Sequence, residues 1–163
     1  KKLTIQALDE ITEQIQRYLL VQVFTSLLVA VATWLCFLWI GVQHAAVWGL
    51  VAGMLNFVPY VGSIVFTAAS AMVGLMQFGN LESALLIAGV SLTLHTISGY
   101  VLTPWLTSRA SRMNAVTVFV GVLAWGWLWG VWGLLLGVPI LMVVKAVCDR
   151  VENLKPLGEL LGS

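Results

Sequence analysis

Charged and apolar positions alternate along this chain in long blocks. Residues 1–17 set Leu3, Leu8, Ile11 and Ile15 among Asp9, Glu10, Glu13 and Arg17. Those apolar spacings approach the helical period and predict an amphipathic helix. It either lies on a membrane surface or leads out of a preceding polar region. Residues 18–40 carry no charge, enough for one helix across about 30 Å of hydrocarbon. Gly41, Gln43 and His44 interrupt that run. Two shorter apolar stretches, 45–57 and 63–78, flank the uncharged segment NFVPYVG at 56–62. This segment predicts either a tight hairpin at the interface or a helix broken inside protein. Unwound backbone at membrane depth needs protein or a cavity around it. Residues 83–102 form another uncharged span, ended by Thr103 and Pro104. Residues 115–147 are a long apolar run cut by Gly126, Gly130, Gly133, Gly137 and Pro139, with WGWLWGVWG at its centre. They predict two thin spans or one re-entrant hairpin.

The fold class expected from this pattern is all-α and polytopic. It has about five to six transmembrane or re-entrant helices, with short hairpins broken by Pro and Gly. The organisation is a lead-in helix at 1–17, a transmembrane domain at 18–147 and a polar cytoplasmic tail at 148–163.

Composition agrees with lipid as the solvent. Of 163 residues, 60% are hydrophobic and 9% charged, against about 25% charged in a soluble domain. Mean hydropathy is +0.98. A soluble protein of this size has too much surface to hide so much apolar material. The net charge of +1 supplies no basic field for nucleic acid. Cys36 and Cys148 lie far apart and form no CxxC pair, so nothing supports a redox or metal site. The chain begins Lys-Lys-Leu, reads as part of a longer protein, and shows nothing resembling a cleavable signal.

Lys and Arg fall in the N-terminal segment, in 103–114 and in the C-terminal tail, and are absent near 41–44, 79–82 and 126–133. Six crossings place all three basic segments, and both termini, on the cytoplasmic side. Trp34, Trp39, Trp125, Trp127, Trp129 and Trp132 then gather at the opposite face, and Tyr18, Tyr60, Tyr100 and Trp105 at the cytoplasmic one. These are the two aromatic belts of a spanning protein.

Candidate chemistry is sparse. There is no HExxH, GxSxG or P-loop, and no pair of membrane-embedded carboxylates. No enzyme, cofactor or metal is expected. His95 lies inside a span: it is either a neutral ring bonded to a neighbouring helix or a proton-relay or substrate contact. His44 sits at an interface and is solvated. GxxxG pairs occur at Gly49/Gly53, Gly126/Gly130 and Gly133/Gly137. They suit close helix packing within the chain or between subunits. Pro59 and Pro139 each withhold a backbone donor and leave carbonyls for kinks, turns or a polar solute. Arg109 and Arg112 either set topology or attract an anionic solute at the cytoplasmic mouth.

NFVPYVG at 56–62, preceded by WGLVAGML, resembles the N-F-[IV]-P-Y-[IVL]-G motif of the autoinducer-2 exporter (AI-2E) family of bacterial permeases. The stretch 99–140 resembles that family's C-terminal pattern of a Pro-bearing loop, a basic segment, a span and G-x-x-G-x-x-L-x-x-P. The likeness runs over roughly 17–150, with its motifs in order. Asn56, Pro59, Tyr60, Gly62, Pro104, Gly130, Gly133 and Pro139 are the matching positions. Many members carry Glu where this chain has Thr103, and Gly and Pro where it has Ser108 and Ala115. The resemblance implies the C-terminal half of a multi-pass inner-membrane protein that exports or exchanges a small solute, such as autoinducer-2, and forms homo-oligomers. Sodium/proton antiport is the alternative activity. A non-transporting scaffold, in which Gly and Trp only pack helices, is the alternative of another class.

Overall fold

The computed structural model describes residues 2–106 and 113–150. Arg109, Arg112, Ser108 and the tail beyond Arg150 lie outside the described residues. The described chain is helical, with no strand. In order come α1 (Lys2–Ile40), α2 (Ala45–Asn56), α3 (Val61–Phe78), α4 (Leu81–Thr96), a π-helical turn (Ile97–Leu102), α5 (Thr103–Leu106), α6 (Ala115–Trp129) and α7 (Val131–Arg150). Four stretches are long and apolar enough to cross a membrane: Ile11–Ile40, Val61–Phe78, Leu81–Leu102 and Val131–Asp149. Helices α2 and α6 are apolar but shorter.

The lead-in segment and the first span are one helix. No Gly or Pro occurs before Gly41, so nothing stops α1 where its composition changes from amphipathic to apolar. At about 1.5 Å per residue it is about 58 Å long.

Packing divides the chain into two units. One is Gln22–Leu106; the other comprises Lys1–Val21 and Thr107–Ser163. In the first unit, α1 buries Gln22, Thr25, Ser26, Val29, Thr33 and Phe37, a stripe at spacings of three and four. Helix α2 lies close on this stripe through Gly49 and Gly53. A Cβ added at Gly49 would meet the Ala30 carbonyl at 2.6 Å, and one at Gly53 the Ala30 Cβ at 2.9 Å. Helix α3 buries Gly62, Phe66, Ser70 and Gly74, and α4 buries Ala84, Ile87, Ser91 and His95; Gly74 meets the Ala84 backbone and Phe66 the His95 ring. The small residues among them let the backbones approach in lipid, where dispersion between close helices replaces the hydrophobic drive. Phe37, Phe66, Val29, Ala45, Ala52 and Ile87 form the apolar centre.

The outside of this unit is apolar. Leu27, Leu35, Leu38, Met76 and Leu85 are exposed, and Trp39 is 91% exposed. This is the surface of a protein solvated by acyl chains. At one end Gln77 clamps the 41–44 turn: the Gln43 N–H donates to its Oε1 at 2.9 Å, and its Nε2 donates to the Gly41 carbonyl at 2.7 Å. Asn80 caps α4 by accepting from the Ser83 N–H at 2.7 Å. Glu82 in the first turn is exposed and does not cap.

In the second unit α6 and α7 form an antiparallel pair. Asn114 caps α6 through the Val116 N–H at 3.0 Å. Gly126 lies under Leu134, Gly133 abuts the Trp125 carbonyl, and Gly137 abuts Val122. Gly130 has another job: it turns the chain at φ 63°, ψ −139°, with nothing near its Cβ position. Only glycine adopts that backbone cheaply.

Gly62 is the tightest approach in the first unit, because a Cβ there would collide with the Leu55 carbonyl. Gly62→Ala should lower stability by about 1–3 kcal/mol, read as an earlier thermal transition of the full-length protein in detergent. Gly99→Ala, with open space around it, should leave that transition nearly unmoved.

Candidate functional site

The NFVPYVG segment folds as a tight hairpin between α2 and α3. Helix α2 ends as the Phe57 and Val58 N–H groups bond back to Met54 and Leu55 at 3.2 and 3.0 Å. The Val61 N–H then bonds to the Pro59 carbonyl at 2.7 Å across a single residue, Tyr60. With φ 62° and ψ −54°, Tyr60 is the centre of a γ-turn of the rare, strained hand. Its carbonyl starts α3, accepting from Ile64 N–H at 3.1 Å and Ser63 Oγ at 2.8 Å. Its ring meets Tyr100 edge-on, with centroids 6.4 Å apart. Partial burial, and then the neighbouring Tyr100 phenol, push the Tyr60 hydroxyl above its ordinary 10, so it stays protonated at neutral pH.

Asn56 ties this hairpin to α1. Its Nδ2 donates to Ser26 Oγ at 3.1 Å, and Gln22 Nε2 donates to the Asn56 carbonyl at 2.6 Å. Gln22 was not singled out by the sequence reading. The signal was present, since Gln22, Thr25 and Ser26 stand at i, i+3 and i+4 within an apolar run.

His95 lies deeper, 5% exposed. Its ring is 5.2 Å from the Phe66 ring. Its Nδ1 is 3.0 Å from the Ser91 carbonyl; a carbonyl only accepts, so Nδ1 carries the proton. Nε2 is buried and has no hydrogen-bond partner, as are Thr33 Oγ1 and Thr67 Oγ1.

The apolar span containing His95 ends at Leu102 as expected, but the helix itself does not stop at Thr103. It passes through the π-helical turn and continues as α5 to Leu106. The physical reason is Pro104, which has no N–H to give the Tyr100 carbonyl and whose ring would crowd it in an α-helix. The wider turn bonds the Thr103 N–H to the Ser98 carbonyl instead, and Thr103 Oγ1 donates to that same carbonyl at 2.8 Å. Such π-turns concentrate at functional sites.

The structure therefore brings Asn56, Pro59, Tyr60 and Gly62 into one turn, and places His95 and Pro104 in the same unit. Gly130, Gly133 and Pro139 belong to the α6–α7 pair of the other unit. There Pro139 is buried inside α7 and leaves the Leu135 carbonyl without its helical donor. Gly49, Gly53, Gly126 and Gly137 each face a neighbouring helix. Among the described residues, no group of His, Cys, Asp or Glu is placed to hold a metal.

The sequence profile of AI-2E family transporters matches residues 1–153. This chain belongs to the AI-2E transporter family. Among curated relatives, Escherichia coli YhhT, named as a transport protein, is 31% identical over 97% of this chain and 45% of its own length. The AI-2 transport protein TqsA of Escherichia coli is 28% identical over 95% of this chain and 45% of its own length. PerM of Escherichia coli, named as a permease, is 31% identical over 87% of this chain and 40% of its own length. The chain thus spans a little under half the length of the AI-2E relatives it matches.

The tie between Asn56 and Ser26 should be measurable as an energy. In a double-mutant cycle of Asn56→Ala and Ser26→Ala in the full-length protein, reversible unfolding should give a coupling of about 0.6 kcal/mol, and up to about 1.7. Additive losses would mean that the two side chains do not meet.

Proposed function

We propose that the protein is the membrane half of a permease that carries a small polar solute across the bacterial inner membrane without covalent chemistry. The polar interior of the Gln22–Leu106 unit forms part of the route. One observation carries this reading. A unit whose outside is Leu, Val, Met and Trp buries Gln22, Thr25, Thr33, Ser70, Ser91 and His95. Thr25, Ser70 and Ser91 return to carbonyls of their own helices and Gln22 ties α1 to α2, but Thr33 and His95 keep buried polar atoms without a partner, which helices packed through glycine and alanine do not require. Family membership and the names of YhhT, TqsA and PerM support transport.

The route begins at the Tyr60 turn, where phenol groups face a strained backbone. Arg109 and Arg112 set the cytoplasmic side; attraction of an anionic solute is their alternative role. The partners are the bilayer, the solute and further copies of the chain. TqsA is named for AI-2, so autoinducer-2 is the first solute to test, and a sodium or proton gradient the second.

Flux into proteoliposomes carrying the full-length protein tests this. Tyr60→Phe, which keeps the ring against Tyr100, should cut saturable flux about tenfold, equal to about 1.4 kcal/mol, with an unchanged melting curve. Asn56→Ala should cut both flux and stability, because Asn56 also ties α2 to α1. Flux equal to wild type in Tyr60→Phe would move the route away from this turn. No flux of any solute by a folded oligomer would favour the scaffold, for which Gly133→Leu should break assembly.

A further inference from the structure

His95 holds a proton on one ring nitrogen and presents the other, bare, to the interior. The Nδ1–H donates to the Ser91 carbonyl of its own helix at 3.0 Å. Across the helix interface the Ala52 carbonyl of α2 also lies against the ring, yet Nε2 makes no hydrogen bond. A neutral imidazole has one N–H, so it satisfies one of two flanking carbonyls. An imidazolium has two and satisfies both. The ring is 95% buried against Phe66, so bulk water does not supply the missing partner.

We propose that His95 is an intramembrane proton-binding site, whose Nε2 takes up a proton and then donates it to the Ala52 carbonyl, closing α2 onto α4. The step is an acid–base one: a proton from the aqueous phase adds to the Nε2 lone pair, no other bond breaks, and the ring gains one positive charge. No side chain competes for that charge. From Gln22 onward α1 carries no ionisable group except the Cys36 thiol, and α2 and α3 carry none. On its own helix Glu82 is exposed at the far N-terminus, and Tyr100 lies in the π-turn against Tyr60. His44, before α2, is exposed. His95 is therefore the one imidazole in the interior of this unit, and its bare Nε2 is the place there for a further proton. Coupling of that proton to solute movement rests on the permease reading above; proton binding itself does not.

Two readouts separate the two claims. In the full-length protein with ¹⁵N-labelled histidine, the signals lost in His95→Gln identify this ring. At neutral pH they should show a protonated Nδ1 and a bare Nε2, and on acidification both nitrogens should become protonated while the fold persists. A ring whose Nε2 stays bare at every pH at which the protein is folded, or that holds a bound water or hydroxyl there instead, overturns the proposal. In proteoliposomes, one coupled proton changes solute accumulation by up to about tenfold per unit of pH gradient. That dependence should be present in wild type and in His44→Gln, and absent in His95→Gln. Flux indifferent to the gradient in all three overturns the coupling while leaving the permease intact. An absence of flux removes the permease reading, and the nitrogen spectra still decide the proton site.

Discussion

Apolar side chains gain nothing by leaving lipid for the interior of a protein whose surroundings are already hydrocarbon. Helices must then be held by close backbone approach and by polar groups satisfied across the interface. Nearly every local feature of this chain follows from that constraint. Gly49 and Gly53 let α2 settle on Ala30, Gly74 admits the Ala84 backbone, and Gly133 and Gly137 do the same for α6 and α7. The large side chains point outward, where a soluble fold would point them in. Phe37, Phe66, Ile87, Leu141 and Met142 are among the exceptions, filling space that the small residues leave.

The same constraint makes the buried polar groups informative. Ser70, Ser91 and Thr25 return their hydroxyls to carbonyls of their own helices, which satisfies them at little cost. Gln22, Asn56 and Ser26 satisfy one another across two helices and so fix the register of α2 on α1. His95 differs, since one end of its ring is fixed and the other is not. Leaving a buried acceptor unmade costs about 1–3 kcal/mol, a cost that the His95 ring bears along with the Thr33 and Thr67 hydroxyls.

The spans were legible because a run without charge has few alternatives, and the turns because Gly and Asn punctuate them. Three features were not. The continuity of α1 was hidden by its change of composition, although the absence of any breaker before Gly41 argued for it. The role of Gly130 was hidden by the GxxxG spacing, which cannot distinguish a packing glycine from a turn glycine. Positive φ decides that, and it is a property of the backbone. The π-turn was hidden because Pro104 reads as a stop. In lipid a helix interrupted by proline has more to gain by widening one turn than by exposing carbonyls. Among the candidate site residues, the hairpin's integrity was readable from its motif. The tie to Gln22 and the state of the His95 ring depended on which faces meet.

Most letters of NFVPYVG have a mechanical role in the hairpin. Asn56 binds α1, Val58 is buried, Pro59 offers the carbonyl that closes the γ-turn, and Gly62 admits the Leu55 carbonyl. Tyr60 centres that turn with a positive φ. A glycine would take φ 62° without the strain of about 1–3 kcal/mol that a side chain incurs there. Packing against Tyr100 returns about 0.5–1.5 kcal/mol of it, so the ring contact between the hairpin and the π-turn offsets strain that the backbone alone would not accept.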